Sequence, residues 1–346
     1  MTDSITIRRP DDWHVHVRDG AMMAAVAPLT ARQFARAIIM PNLVPPVTDT
    51  AAARAYRERI LGVLPKGHGF TPLMTCYLTD STDPGDLVRG HAEGVFTAAK
   101  LYPANATTNS AHGVSDIRIL RSVLEAMQRT GMVLCIHGEV TDPAVDVFDR
   151  EAVFVERVLV PLLADFPELK IVLEHITTAE AAAIVLAHPR RLGATVTPQH
   201  LIINRNALFA GGLRPHAYCL PVAKREQHRQ AVRRAATGGA PNIFLGTDTA
   251  PHLVGAKESG CGCAGIFTGL HALELYAEVF EEDGALGAFE AFASENGARF
   301  YGLPLNQGQV TLAQQEWRVP DGVEADGSWV VPFAAGEVLR WRMVDA

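Results

Sequence analysis

The sequence predicts a single-domain (β/α)8 barrel, a TIM barrel of the α/β class, with a small C-terminal extension. Eight short apolar runs recur along the chain, and most precede a segment with apolar residues at helical spacing. Several runs are apolar throughout, which is typical of strands buried on both faces. The rival fold is an open doubly wound sheet, which predicts a glycine-rich first turn, and the sequence contains no G-x-G-x-x-G motif.

The chain is interpreted as one domain, 1–346, in which strands and helices alternate. The predicted strands are 13–17, 37–40, 73–78, 95–101, 132–136, 171–173, 194–196 and 243–245. The predicted helices are 48–64, 115–130, 150–166, 178–187, 223–235 and 265–280. The connection 199–220 is long for a strand-to-helix loop, which indicates a functional insertion. The extension covers about 310–346, with a hairpin predicted across 329–341 that turns at Gly336.

Charge and hydropathy exclude several classes of function. The 31 basic and 38 acidic residues give a net charge of −7, which argues against nucleic acid or an anionic membrane as partner. No run approaches the roughly 18 apolar residues of a membrane span, and the N-terminal segment lacks the apolar core of a secretion signal. The five cysteines suit reduced thiols, so a cytoplasmic location is expected.

The first predicted strand carries the pair His14-Val-His16. Residues i and i+2 of a strand point to the same side, so two imidazoles at a barrel mouth can share one metal ion. The alternative is a pair of structural histidines bonded to backbone carbonyls. The pair alone does not choose between the two.

Further polar residues follow apolar strands at the end where active sites of such barrels lie. His137, His175 and Asp248 each stand where a predicted strand stops, and Lys100 closes the fourth strand. An ammonium cannot bind a cation, so Lys100 is a substrate-binding cation, a Schiff-base lysine, or a lysine that has captured carbon dioxide as a bridging carbamate. The imidazoles and carboxylate suit two Zn²⁺ ions better than Mg²⁺ or Ca²⁺, with Asp248 also passing protons.

The chain resembles the short bacterial type of dihydroorotase, within the amidohydrolase superfamily. The matching stretches are RPDDWHVHVRDG (9–20), MPNLVPP (40–46), AAKLYPANATT (98–108), CIHGE (135–139), EHIT (174–177), TPQHL (197–201), GTDTAPH (246–252) and KESGCGCAG (257–265). They span most of the chain without a departure at any motif position.

The resemblance implies a role for each matching residue. One Zn²⁺ would be held by His14, His16, carboxylated Lys100 (N6-carboxylysine) and Asp248, and the other by carboxylated Lys100, His137 and His175, with a bridging hydroxide between them. The implied substrate contacts are Arg18, Asn42 and His252 for the carboxylate, with Leu220 and Ala264 through their main chains. Thr107 and Thr108 would form a lid, and the protein would be a homodimer. The implied reaction is the reversible cyclisation of N-carbamoyl-L-aspartate to L-dihydroorotate plus water.

The sequence leaves two other functions open. A related cyclic amidase of the dihydropyrimidinase or allantoinase type would act on rings without a carboxylate, which would leave Arg18, Asn42 and His252 without a purpose. A catalytically inactive scaffold relative would be expected to have lost metal ligands. Cys261-Gly-Cys263 lacks a second thiol pair and is interpreted as a loop near the barrel mouth.

Overall fold

The structure is a computed structural model that describes residues 3–344, so the ends of the predicted 1–346 domain, 1–2 and 345–346, lie outside the described residues. Eight parallel strands pair in sequence order, which confirms the predicted (β/α)8 barrel. The barrel strands are β2 (Asp11–Val15), β3 (Arg36–Ile39), β4 (Thr71–Tyr77), β5 (Phe96–Leu101), β6 (Val133–Ile136), β7 (Ile171–Leu173), β8 (Leu192–Val196) and β9 (Ile243–Leu245). Each overlaps a predicted strand.

The barrel closes just beyond the ends of its first and last strands. The amide of Asp248 donates to the His14 carbonyl at 2.9 Å, and the amide of His16 donates to the Thr249 carbonyl at 3.0 Å. The buried Asp12 carboxylate also accepts from the backbone N–H and the hydroxyl of Thr247, at 2.9 and 2.6 Å. Closure therefore brings the residue that follows β9 beside the histidine pair of β2.

Helices surround the barrel. Their bounds are α1 Gly20–Gln33, α2 Thr50–Val63, α3 Pro84–Ala92, α4 Arg121–Thr130, α5 Arg150–Phe154, α6 Val160–Asp165, α7 Ala179–Ala187, α8 Pro198–Ile202, α9 Glu226–Thr237, α10 Val254–Lys257, α11 Ala272–Glu282, α12 Leu286–Glu290 and α13 Asn296–Tyr301. A π-helical turn, Val155–Leu159, joins α5 to α6, and another, Ala291–Glu295, joins α12 to α13. No helix within residues 3–344 combines the length and apolarity that a membrane crossing requires.

Helix α1 is the longest element that the sequence pattern does not predict. It carries Pro28 in its interior, and proline removes a backbone donor and disfavours helix. Its buried residues nevertheless recur at helical spacing, at Met23, Val26, Ala27 and Thr30. Packing of this face against the barrel therefore overrides the local signal.

The end of the barrel opposite the predicted site is filled by aromatic side chains. Trp13 stacks on Tyr301 with ring centroids 4.5 Å apart and meets Phe244 edge-on at 6.1 Å. A Cβ on Gly297 would lie 2.0 Å from Nε1 of Trp13, so only glycine fits against this ring. The pairing of β2 with β3 shifts register between Asp12 and Val15, and this irregularity lies at Trp13 and His14.

The predicted C-terminal hairpin is wrong in its pairing. The strand β12 (Ser328–Val330) pairs with β11 (Val323–Ala325), not with the chain beyond Gly336. The strand β13 (Val338–Val344) pairs with β10 (Gln309–Arg318), which also pairs with β1 (Ser4–Arg8). A small antiparallel sheet thus unites the two ends of the described chain, because a local turn signal does not fix which strand a segment pairs with.

Candidate metal and substrate site

Three of the predicted site residues adopt the left-handed backbone conformation shortly after barrel strands. Arg18, His175 and Asp248 have φ values of 61°, 43° and 45°. Non-glycine residues adopt this region rarely, and such residues concentrate at functional sites, where the surrounding structure holds them. Here the conformation turns each side chain from its strand end into the barrel mouth.

His14, His16 and Asp248 form the core of the site. Oδ1 of Asp248 lies 3.3 Å from Nε2 of His14 and 3.1 Å from Nε2 of His16, and the two Nε2 atoms are 3.2 Å apart. All three residues are buried. Two imidazole nitrogens and a carboxylate oxygen at this spacing are a donor set for a transition metal such as zinc.

The four predicted histidine ligands form a continuous row across the mouth. Ring centroids are 5.2 Å apart for His14 and His16, 4.9 Å for His14 and His175, and 4.9 Å for His175 and His137. Burial lowers the pKa of His16 to about 3 and lowers the pKa of His14 and of His175. Neutral imidazoles are the form that binds a metal, so these three histidines favour ligation at neutral pH.

Lys100 lies beside this row and is linked to His14 through Glu174. Its buried Nζ contacts Oε2 of Glu174, and the other oxygen of Glu174 lies 3.1 Å from Nδ1 of His14. The Tyr102 ring centre is 4.7 Å from the Lys100 Nζ. Burial lowers the pKa of Lys100 to about 7, which makes the neutral, nucleophilic amine accessible near neutral pH.

Two carboxylates without a predicted role contact predicted ligands. Oε2 of Glu139 lies 2.7 Å from Nε2 of His137, which leaves Nδ1 as the nitrogen of His137 free for a metal. Glu174 contacts His14 and Lys100 as described. Both glutamates are buried and each lies within two residues of a strand-end histidine. That proximity is the signal by which the sequence could have identified them.

Two of the predicted substrate contacts, Arg18 and His252, contact each other at the mouth. The half-buried side chain of Arg18 donates from Nε to the Pro251 carbonyl at 3.1 Å, and its terminal nitrogen lies 3.0 Å from Nε2 of His252. No carboxylate within residues 3–344 forms an ion pair with Arg18. A cation held in place without an anionic partner is suited to a carboxylate of a ligand.

Asn42 and the predicted lid meet over the histidine row. Oδ1 of Asn42 lies 2.9 Å from Nδ1 of His16, and its amide nitrogen donates to the Thr108 carbonyl at 3.0 Å. The Thr108 hydroxyl donates across the mouth to the Ala264 carbonyl at 3.2 Å. The loop that carries Thr107 and Thr108 therefore spans the opening between the β3 side and the 263–265 segment.

One pocket gathers most of the predicted site. Its lining includes every predicted metal ligand except Lys100 and every predicted substrate contact except His252, together with Thr107 and Thr108. Cys219 and Leu220, from the predicted functional insertion, also line it. Tyr102 is a further lining residue, and it had no predicted role. The residues assigned from distant stretches thus converge on one cavity.

Comparison with known proteins identifies the family. Residues 11–312 match the model of the Amidohydrolase family. A curated dihydroorotase of Sphingopyxis alaskensis is 65% identical over 99% of this chain and 100% of its own length. The chain belongs to the amidohydrolase family, and within it to the dihydroorotases.

Solved structures agree with the sequence comparison. A dihydroorotase of Saccharomyces cerevisiae, solved in complex with 5-fluoroorotic acid, superposes with a TM-score of 0.92 at 33% identity, covering 99% of both chains. A dihydroorotase of Campylobacter jejuni gives a TM-score of 0.91 at 37% identity, covering 100% of this chain and 98% of that chain. The likeness therefore extends over the whole barrel and the small terminal sheet.

Proposed function

We propose that this protein catalyses the reversible cyclisation of N-carbamoyl-L-aspartate to L-dihydroorotate plus water, a step of pyrimidine biosynthesis. The observation that carries the proposal is the position of Arg18, a guanidinium that forms no ion pair with a carboxylate of residues 3–344, at the edge of the cavity that holds the histidine row. A cyclic amide with a ring carboxylate would place its amide at the row and its carboxylate at Arg18. The relatives named dihydroorotase support the same reaction.

We propose that the site holds two zinc ions. His14, His16 and Asp248 supply one group of ligand atoms, and His14, Glu174 and His175 form a second group, with the His137 ring centroid 4.9 Å from that of His175. Buried nitrogen and carboxylate donors favour Zn²⁺ over the oxygen-seeking Mg²⁺ and Ca²⁺. When bound, such ions would supply Lewis acidity that polarises the amide carbonyl and activates water.

We further propose that Lys100 is carboxylated when the metals are bound. Carboxylation replaces a cation that cannot ligate with an anion that offers two oxygens. The contact between Nζ of Lys100 and Glu174 would then open, because the carbamate and the glutamate carry charges of the same sign. Depression of the Lys100 pKa by burial supports the reaction of its neutral amine with carbon dioxide, which forms the N–C bond of the carbamate and releases one proton.

The chain's own residues account for binding and proton transfer. In the hydrolytic direction the carboxylate of Asp248 would accept a proton from the attacking water and deliver it to the ring nitrogen as the amide bond breaks. Arg18, Asn42 and His252 would hold the substrate carboxylate, while the main chains of Leu220 and Ala264 would orient the ring. Thr107 and Thr108 would close over the substrate and exclude bulk water.

Two properties of the whole protein belong to the same proposal. We propose a cytoplasmic location, which is supported by the five cysteines, because all are free thiols in the structure. A homodimer is proposed from the resemblance to the family. The partner of the active site is a small molecule, and the net charge of −7 disfavours nucleic acid.

Parallel assays of L-dihydroorotate, dihydrouracil and allantoin test the function, together with zinc analysis of the purified protein. We expect hydrolysis of dihydroorotate alone and about two zinc ions per chain. Preference for dihydrouracil or allantoin would assign the protein to the related cyclic amidases. A protein without zinc that turns over none of the three substrates would be a scaffold relative.

A further inference from the structure

A buried lysine outside the predicted site joins two segments that line it. Lys257, the last residue of α10, is 3% exposed, and its Nζ donates to the carbonyls of Tyr218, Cys263 and Gly265 at 2.9, 2.7 and 2.8 Å. An ammonium has three donors, so this group is fully used. It forms no ion pair with a carboxylate within residues 3–344, and backbone carbonyls surround it in place of an anion.

The two joined segments both contribute main chain to the cavity. Tyr218 lies two residues before Leu220, and Cys263 and Gly265 flank Ala264. Leu220, Ala264 and Gly265 all line the pocket that contains the histidine row. Lys257 therefore fixes the relative position of two backbone strips at the mouth of the pocket, 218–220 and 263–265.

The 263–265 strip also receives contacts from the substrate side of the site. The Ala264 carbonyl accepts from the Thr108 hydroxyl at 3.2 Å and lies 3.0 Å from Nε2 of His252. Next to it, the Gly265 amide donates to the Tyr218 carbonyl at 3.0 Å. Gly265 has a φ of 152°, and a Cβ there would lie 2.5 Å from the Ala250 carbonyl oxygen, so the strip is packed tightly on its other face.

We propose that Lys257 is a positioning residue that fixes the Leu220 and Ala264 backbones at the spacing that the substrate ring requires. This inference rests on the proposed function and adds a residue that does not itself touch the substrate. A buried cation without an anion is a costly way to gain stability, because an apolar side chain of similar volume would fill the space without the desolvation penalty. Three convergent donors, by contrast, determine the geometry of the carbonyls that they bind.

The decisive test compares Lys257→Met with the wild type and with Lys224→Met. Lys224 is a matched control because it is also 3% exposed, yet its Nζ donates to the Val222 carbonyl, only two residues away, at 2.8 Å. For Lys257→Met we expect KM for dihydroorotate to rise about tenfold, with kcat changed by less than about threefold, because uniform substrate binding is lost. The Kd for 5-fluoroorotic acid, measured by calorimetry, should rise in parallel, while zinc content stays at the wild-type level.

Lys257→Arg should recover most of the affinity, since guanidinium also donates to several carbonyls. An unchanged KM and Kd in Lys257→Met, or an equal rise in Lys224→Met, would overturn the positioning role. If Lys257→Met does not fold, Lys257→Gln is judged by the same criterion. A wild-type protein that does not hydrolyse dihydroorotate would instead refute the proposed function. Calorimetry with the three variants measures ligand binding without turnover, so it tests the positioning role separately from the catalysed reaction.

Discussion

Asp248 lies with its Oδ1 atom 3.1 Å from Nε2 of His16, although the two residues follow the last and the first strands of the barrel. The hydrogen bonds that close the barrel run between the same two chain segments. The candidate metal-binding group is therefore assembled by closure of the barrel itself. Any change that weakens the hydrogen bonds between these two segments should weaken metal binding.

Removal of the Lys100 amine should remove most of the bound zinc. In Lys100→Ala the proposed bridging carbamate cannot form, so we expect zinc content to fall from about two to below about one ion per chain, with loss of activity. Elemental analysis after dialysis measures the zinc. Lys66→Ala, at an exposed lysine, is the control. Full zinc and full activity in Lys100→Ala would refute carboxylation.

Replacement of the Arg18 guanidinium should affect substrate binding and leave the metals in place. Arg18→Met removes a charged hydrogen-bond donor from the proposed carboxylate site, so KM for dihydroorotate should rise about tenfold to a hundredfold. Zinc content should equal that of the wild type. Arg118→Met is the control, since the Arg118 side chain is 88% exposed. A KM that does not move would exclude Arg18 from the substrate site.

The equilibrium of the catalysed reaction should depend on pH. N-carbamoyl-L-aspartate is a dianion near neutrality and dihydroorotate is a monoanion, so ring closure takes up one proton. The ratio of open chain to ring should therefore rise about tenfold for each unit of increasing pH around neutrality. Chromatography of mixtures equilibrated from both directions measures this ratio. A ratio independent of pH would contradict the proposed reaction.

The glycine beneath Trp13 should be essential for stability. In Gly297→Ala the new Cβ would overlap the indole, whose Nε1 would be 2.0 Å away, so the free energy of unfolding should fall by about 1–3 kcal/mol. Urea denaturation measures the loss. Gly287→Ala in α12 is the matched control, because no atom lies within 4 Å of its Cβ position, and it should be neutral or stabilising by about 0.5–1 kcal/mol. Equal stability of the two variants would show that the packing around Trp13 tolerates the added Cβ.

The sequence predicted the barrel because strands buried on both faces leave a strong local pattern, and each of the eight predicted strands overlaps an observed one. It did not predict α1, where Pro28 masks a helix that packing stabilises, nor the pairing of β13 with β10. Strand pairing at the chain ends depends on contacts between residues far apart in sequence. Such contacts leave no periodic signal.

The sequence by itself determined the residue types of the candidate site and their positions on or just after predicted strands, namely His14, His16, His137, His175 and Asp248. Only the tertiary structure decided that Glu174 lies between Lys100 and His14, that Glu139 occupies Nε2 of His137, and that Lys257 joins two loops of the mouth. Ligand chemistry is a property of single residues and can be recognised one residue at a time. The supporting contacts depend on distances between side chains, and these are set only when the eight strands close into a barrel.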